Sequence, residues 1–109
     1  MNIDFDTMAE EIIPAFKGGE KQLAAKTFYD GRNRIMKGRL IPGASIGLHT
    51  HDTSSEIIYF IKGKGSVICD AEKSSVHEGM CHYCPKGHTH TLINDSAEDL
   101  EFIAVVPQQ

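Results

Sequence analysis

The stretch His49-Thr50-His51-Asp52-Thr53-Ser54-Ser55-Glu56-Ile57-Ile58-Tyr59-Phe60-Ile61-Lys62 decides how the chain is read. Its second half, Glu56 to Lys62, is the strongest strand signal present, dense in β-branched and aromatic side chains. Its first half sets two histidines two residues apart. Successive strand side chains point to opposite faces, so His49 and His51 share one. Glu56 follows His51 by five residues, an odd offset. No single regular strand carries all three to the same side. The polar run from Thr50 to Ser55 supplies the break that the three need.

A third histidine of interest, His90, arrives with Pro85-Lys86-Gly87-His88-Thr89-His90. It must come from a distant strand. A lone buried histidine is ordinarily a packing residue. Three with a glutamate, each beside a turn signal, form a mixed nitrogen and oxygen ligand set of the kind transition metals take. Such a set leaves iron, manganese, nickel, cobalt, copper and zinc all open as the one divalent ion.

Outward from this centre the signals stay β-like. Residues 21–29 form a candidate strand, weakened by two alanines. Asp30-Gly31 marks a hairpin to residues 33–41, which stop at Pro42-Gly43. Further short strands are expected over 66–69, 74–77, 79–84, 88–93 and 100–106, with Gly, Pro and Asp between them. Many short strands without a strong interior helix imply an all-β antiparallel sandwich or barrel. Phe5, Met8 and Ile12 recur at helical spacing and Thr7 to Glu10 fits a capping box, so residues 1–17 read as an N-terminal arm or short helix. Residues 18–109 then form the single barrel domain.

The chain's 109 residues suffice for one domain. A net charge of −4 argues against nucleic acid or an anionic membrane as the main partner. No apolar run is long enough to span a bilayer. Three cysteines, an odd number, and no signal-peptide pattern point to reduced thiols in a cytoplasm.

Residues 43–63 read Gly-x5-His-x-His-x4-Glu-x6-Gly, and residues 79–94 read Gly-x5-Pro-x-Gly-x2-His-x3-Asn. Both resemble the two motifs of the cupin superfamily, with the short spacing of small single-domain members. The resemblance implies a cupin-like jelly-roll β-barrel, a metal ion held by His49, His51, Glu56 and His90, and a homodimer. It implies structural roles for the motif glycines, Pro85 and Asn94. For function it implies a metal-dependent enzyme, of dioxygenase, isomerase or lyase type, acting on a small polar or anionic chelating substrate. The alternative is a non-catalytic metal and small-ligand binding module, a sensor or accessory protein.

Strand parity proposes the pocket wall. Ile58 and Phe60 share a face with Glu56, and Leu92 with His90. Met36 and Tyr83 are further candidates. His88, two residues before His90, is the candidate acid or base at the pocket mouth. His77 and His82 have no partner pattern and read as structural or exposed. Cys81 and Cys84 stand three apart, so a regular strand sends them to opposite faces and one of them can face the pocket. Arg32, Arg34, Lys37 and Arg39 form a basic cluster that reads as a solvated face, with Arg34 or Arg39 as a candidate for a substrate carboxylate.

Overall fold

A computed structural model describes residues 1–109. Ten strands carry the chain: β1 (Glu11–Pro14), β2 (Gln22–Tyr29), β3 (Asn33–Leu40), β4 (Ser45–Thr50), β5 (Glu56–Lys62), β6 (Lys64–Cys69), β7 (Glu72–His77), β8 (Cys81–Cys84), β9 (Thr89–Ile93) and β10 (Leu100–Pro107). They pair antiparallel into a six-stranded sheet, β1-β2-β3-β10-β5-β8, and a four-stranded sheet, β4-β9-β6-β7. The sheets face each other as a jelly-roll barrel but do not close on one another. No helix is long and apolar enough to cross a membrane.

Alternation builds the interior. In β5, Glu56, Ile58 and Phe60 are buried while Ile57, Tyr59 and Ile61 are exposed. β10 repeats the pattern with Leu100, Phe102 and Ala104 inside. Phe60 and Phe102 are both fully buried and meet edge to face at 6.4 Å, each contributing about 2–3 kcal/mol through burial. Gly38 makes room for this pair, because a Cβ there would strike the Phe102 ring. The hairpin at Asp30 forms as its sequence requires. Asp30 Oδ1 accepts from the backbone N–H groups of Arg32 at 2.9 Å and Asn33 at 2.8 Å.

The N-terminus departs from the helical expectation. Only a 3₁₀ turn forms, over Phe5–Thr7. The expected capping box is not made: Glu10 instead ion-pairs with Arg39 at 2.8 Å. Residues 11–14 join the six-stranded sheet as its edge, with Ile13 opposite Leu23 and packed against the core. Pro14 is tolerated there because an edge strand can spare a ladder donor. The first seventeen residues are therefore partly a strand of the barrel, and their helical spacing was short enough to be overridden by sheet pairing.

Asn94 ties the loop before β10 to the core. It is fully buried, and its Nδ2 donates to the carbonyls of Leu40 and Glu98, both at 2.8 Å. Its Oδ1 accepts from the Ser96 N–H and hydroxyl.

Candidate metal centre

The break anticipated between His51 and Glu56 is present. β4 ends at Thr50, and Ser54 makes an isolated bridge to Gln108 before β5 begins at Glu56. β4 also carries an irregularity between Ile46 and His49, which sets His49 opposite His90 in β9. The Pro85–Gly87 turn is clamped to His51. The His51 N–H donates to the His88 carbonyl at 3.0 Å, and the Gly87 N–H donates to the His51 carbonyl at 2.6 Å. Gly87 holds a φ of +88°, which a side chain would disfavour. Backbone geometry thus joins the two sequence motifs before any ligand is considered.

Four side-chain atoms converge. His51 Nε2 lies 2.9 Å from His90 Nε2 and 3.1 Å from Glu56 Oε1. His90 Nε2 lies 2.9 Å from Glu56 Oε1, and His49 Nε2 lies 3.8 Å from it. All four ligand atoms fall within 4.8 Å of one another. Adjacent ligands of an ion with bonds of about 2.1 Å sit about 3.0 Å apart in an octahedron, so the separations fit a bound cation.

The far side of each imidazole is also held. His49 Nδ1 is 2.7 Å from the Gly47 carbonyl, which only accepts. That nitrogen therefore carries the proton, leaving the Nε2 lone pair for a metal. His51 Nδ1 pairs with the Ser54 hydroxyl at 2.9 Å. His90 Nδ1 meets His82 Nε2 at 3.0 Å. Burial would push the Glu56 carboxyl up, but the close imidazoles of His49, His51 and His90 around it hold it well below the usual range. The carboxylate form is the one a metal requires.

The strand rows place the remaining candidates. Ile58, Phe60, Leu92 and Met36 lie inside, in the contiguous core, with Ile58 and Met36 level with each other across Ala104. Tyr83 does not join them. It is 55% exposed, because in β8 the inward residues are His82 and Cys84. His88 also stays apart from the four ligands: its ring is about half exposed and bonds the Asp70 carboxylate. Arg39 is engaged by Glu10 and Asp99 on the outer side. Arg34 lies one residue beyond the row Ile57–Val105–Ile35, which makes it level with Glu56 two strands away. It shares the parity of buried Met36 but is exposed near the strand's end, its guanidinium 4.6 Å from the exposed Tyr29 ring of β2.

Of two further inward groups, His82 was not anticipated, and Cys84 is the one of the cysteine pair that faces inward. His82 was read as structural or exposed, yet it lies edge to edge with His90, ring centroids 5.2 Å apart. Burial and the neighbouring His90 hold its pKa down, against the pull of Glu56. His82 has the parity of Cys84, so once the pairing of β8 with β5 sends Cys84 inward it sends His82 inward too. Cys84 lies opposite Glu56 and is fully buried. Burial and the nearby Cys69 thiol push its pKa up to about 12.

The cupin domain pattern matches residues 36–106, the stretch that holds all four ligands. The chain belongs to the cupin family. An oxalate-binding protein of Thermotoga maritima is 28% identical over 102 residues, covering 88% of this chain and 84% of that one. An uncharacterised protein of Methanocaldococcus jannaschii is 32% identical over 75 residues, covering 68% of this chain and 60% of that one. Among solved structures, a predicted oxalate decarboxylase of T. maritima superposes with a TM-score of 0.93 at 25% identity, over the full length of both chains. A sugar phosphate isomerase from Silicibacter pomeroyi superposes at 0.81 with 18% identity, over all of this chain and 76% of that one, which is a likeness of fold alone. This cupin thus shares its barrel with proteins of different described activities, and the barrel does not choose among them.

Proposed function

We propose that this cupin binds one divalent transition metal ion through His49, His51, Glu56 and His90, and uses it to hold and transform a small chelating acid of the oxalate kind. The observation that carries the reading is the convergence of three Nε2 atoms and one carboxylate oxygen, each imidazole being fixed from behind. Bound there, such an ion supplies Lewis acidity and open positions for a chelating ligand. The chain's own contribution is the apolar core beside the ligands, a carboxylate that stays ionised, and Arg34. Arg34 is level with Glu56 two strands away, about 10 Å between backbones; its exposed guanidinium lies over Tyr29 of β2 and would have to swing across β10 to meet a bound acid. The likeness to an oxalate-binding protein supports the substrate class.

The experiment is metal analysis of protein purified without chelators, followed by calorimetric titration of oxalate into metal-loaded and metal-stripped protein. Binding by the loaded form alone is expected. Arg34→Ala should keep the metal and weaken oxalate binding about tenfold or more, the worth of a charge-assisted hydrogen bond. Oxalate binding untouched by Arg34→Ala removes that residue from the site. Product analysis of the loaded protein separates the enzyme from a binding module: an acid that is bound and returned unchanged selects the module.

A homodimer is part of the same proposal. Ile57, Tyr59, Ile61 and Tyr83 are exposed together on the outer face of β5 and β8, an apolar surface suited to a second copy. The mass in solution tests it. Three free cysteines suit a reducing compartment such as the cytoplasm.

A further inference from the structure

We propose that His82 is a positioning residue of the metal centre, which fixes the tautomer and ring orientation of His90. The inference rests on the metal-binding reading of the four ligands. His90 belongs to the four-stranded sheet and points its Nε2 at the centre, 2.9 Å from both Glu56 Oε1 and His51 Nε2. Its Nδ1 therefore faces away. A neutral imidazole carries one N–H, so a lone pair at Nε2 requires the proton at Nδ1. That proton needs an acceptor, and His90 is only 2% exposed, so bulk water cannot serve.

His82 supplies the acceptor. It reaches across from β8 in the opposite sheet, where it pairs with Ile58, and sets its Nε2 3.0 Å from His90 Nδ1. The ring centroids are 5.2 Å apart and the planes 26° from parallel, so the two rings lie edge to edge and nearly coplanar along this hydrogen bond, which holds the His90 ring in one orientation. Accepting through Nε2 places the proton of His82 on its own Nδ1. Without His82, His90 either keeps a buried N–H with no acceptor or moves its proton to Nε2, where it cannot ligate a metal. His49 and His51 are held by a carbonyl and a hydroxyl on their own chain segment. His90 alone is held by a residue from the other sheet.

The test uses cobalt(II) as the probe, with its dissociation constant and visible ligand-field spectrum as readouts. His82→Phe keeps a ring and loses the acceptor. His82→Gln restores an acceptor on a flexible chain. His82→Phe should bind cobalt about 10–100-fold more weakly, the usual effect of losing an outer hydrogen bond to a ligand, and shift the spectrum. His82→Gln should recover most of the loss. The inference is overturned if His82→Phe matches the wild type in both readouts, or if His82→Gln is as weak as His82→Phe. Should His82→Phe lack a native circular dichroism spectrum, His82→Ala replaces it under the same criteria. A wild-type protein that binds no cobalt, manganese, zinc or other divalent ion overturns the metal-binding reading itself. A wild type that binds, with variants that match it, overturns only the role of His82.

Discussion

His51 and His90 stand 39 residues apart in the chain, and their Nε2 atoms stand 2.9 Å apart in space. Two neutral imidazoles cannot face lone pair to lone pair at that distance without repulsion. Something positive must lie between them, a proton or a metal ion. Metal should therefore bind in competition with protons and stabilise the fold. An ion at a hundred times its dissociation constant adds about 2.7 kcal/mol, which raises the Tm of a chain this size by about 10 °C or more. Thermal melts with each of the six candidate ions check this. No shift with any ion, or His49→Ala with unchanged metal content, would sink it.

Glu56 gives the metal-free protein a dependence on pH of defined sign. Its folded pKa lies well below the ordinary 4.5, since the histidine hydrogen bonds outweigh the opposing effect of burial. A depressed carboxylate contributes stability that is fully present above its unfolded pKa and is lost as the pH falls through the folded one. The Tm advantage of the stripped wild type over Glu56→Gln should thus be flat from about pH 7 to pH 5.5 and shrink on further acidification. A gap that widens toward low pH would contradict the ionised state assigned to Glu56.

The cysteines should react unequally. Cys81 is exposed, whereas Cys84 is fully buried with its thiol pushed up to about 12. At pH 8 only about one Cys84 in ten thousand is thiolate, the nucleophilic form. Iodoacetamide on the native protein should modify Cys81 within minutes and reach Cys84 only after unfolding. Mass spectrometry of tryptic peptides reads the order, and equal labelling rates would show that β8 does not turn Cys84 inward.

Asn94 should matter to stability alone. Asn94→Asp keeps the shape and loses both Nδ2 donations, leaving the Leu40 carbonyl without its side-chain donor beside a buried charge. A cost of about 2–3 kcal/mol is expected, or about 10 °C or more in Tm. Metal affinity of the variant, measured well below its Tm, should change less than tenfold. A normal Tm would mean that the loop closes without this anchor.

The four ligands were legible because each stands at a fixed spacing beside a turn residue, and parity alone demanded the break at Thr50–Ser55 and a remote strand for His90. The strands were legible at β2, β3 and from β5 onward from their turn residues, while β4 was read only through the parity of His49 and His51. Residues 11–14 were not, since a four-residue edge strand leaves no periodicity to distinguish it from a helical turn. Tyr83 and His82 were exchanged: β8 is short, and nothing in Cys81-His82-Tyr83-Cys84 says which parity faces inward until its pairing with β5 is known. His88 was placed by parity near the ligands, but at the strand's end its side chain is free to swing outward to Asp70.

Glu56 extends from the six-stranded sheet, and His49 and His90 from the four-stranded one. No disulfide spans the gap between these sheets. A bound ion would be the strongest bond between them, so parting the two sheets and releasing the ion become one event. Slow amide exchange in β5 and β9 should then rise and fall together with metal occupancy, and the escape rate of the ion would report how often the barrel breathes.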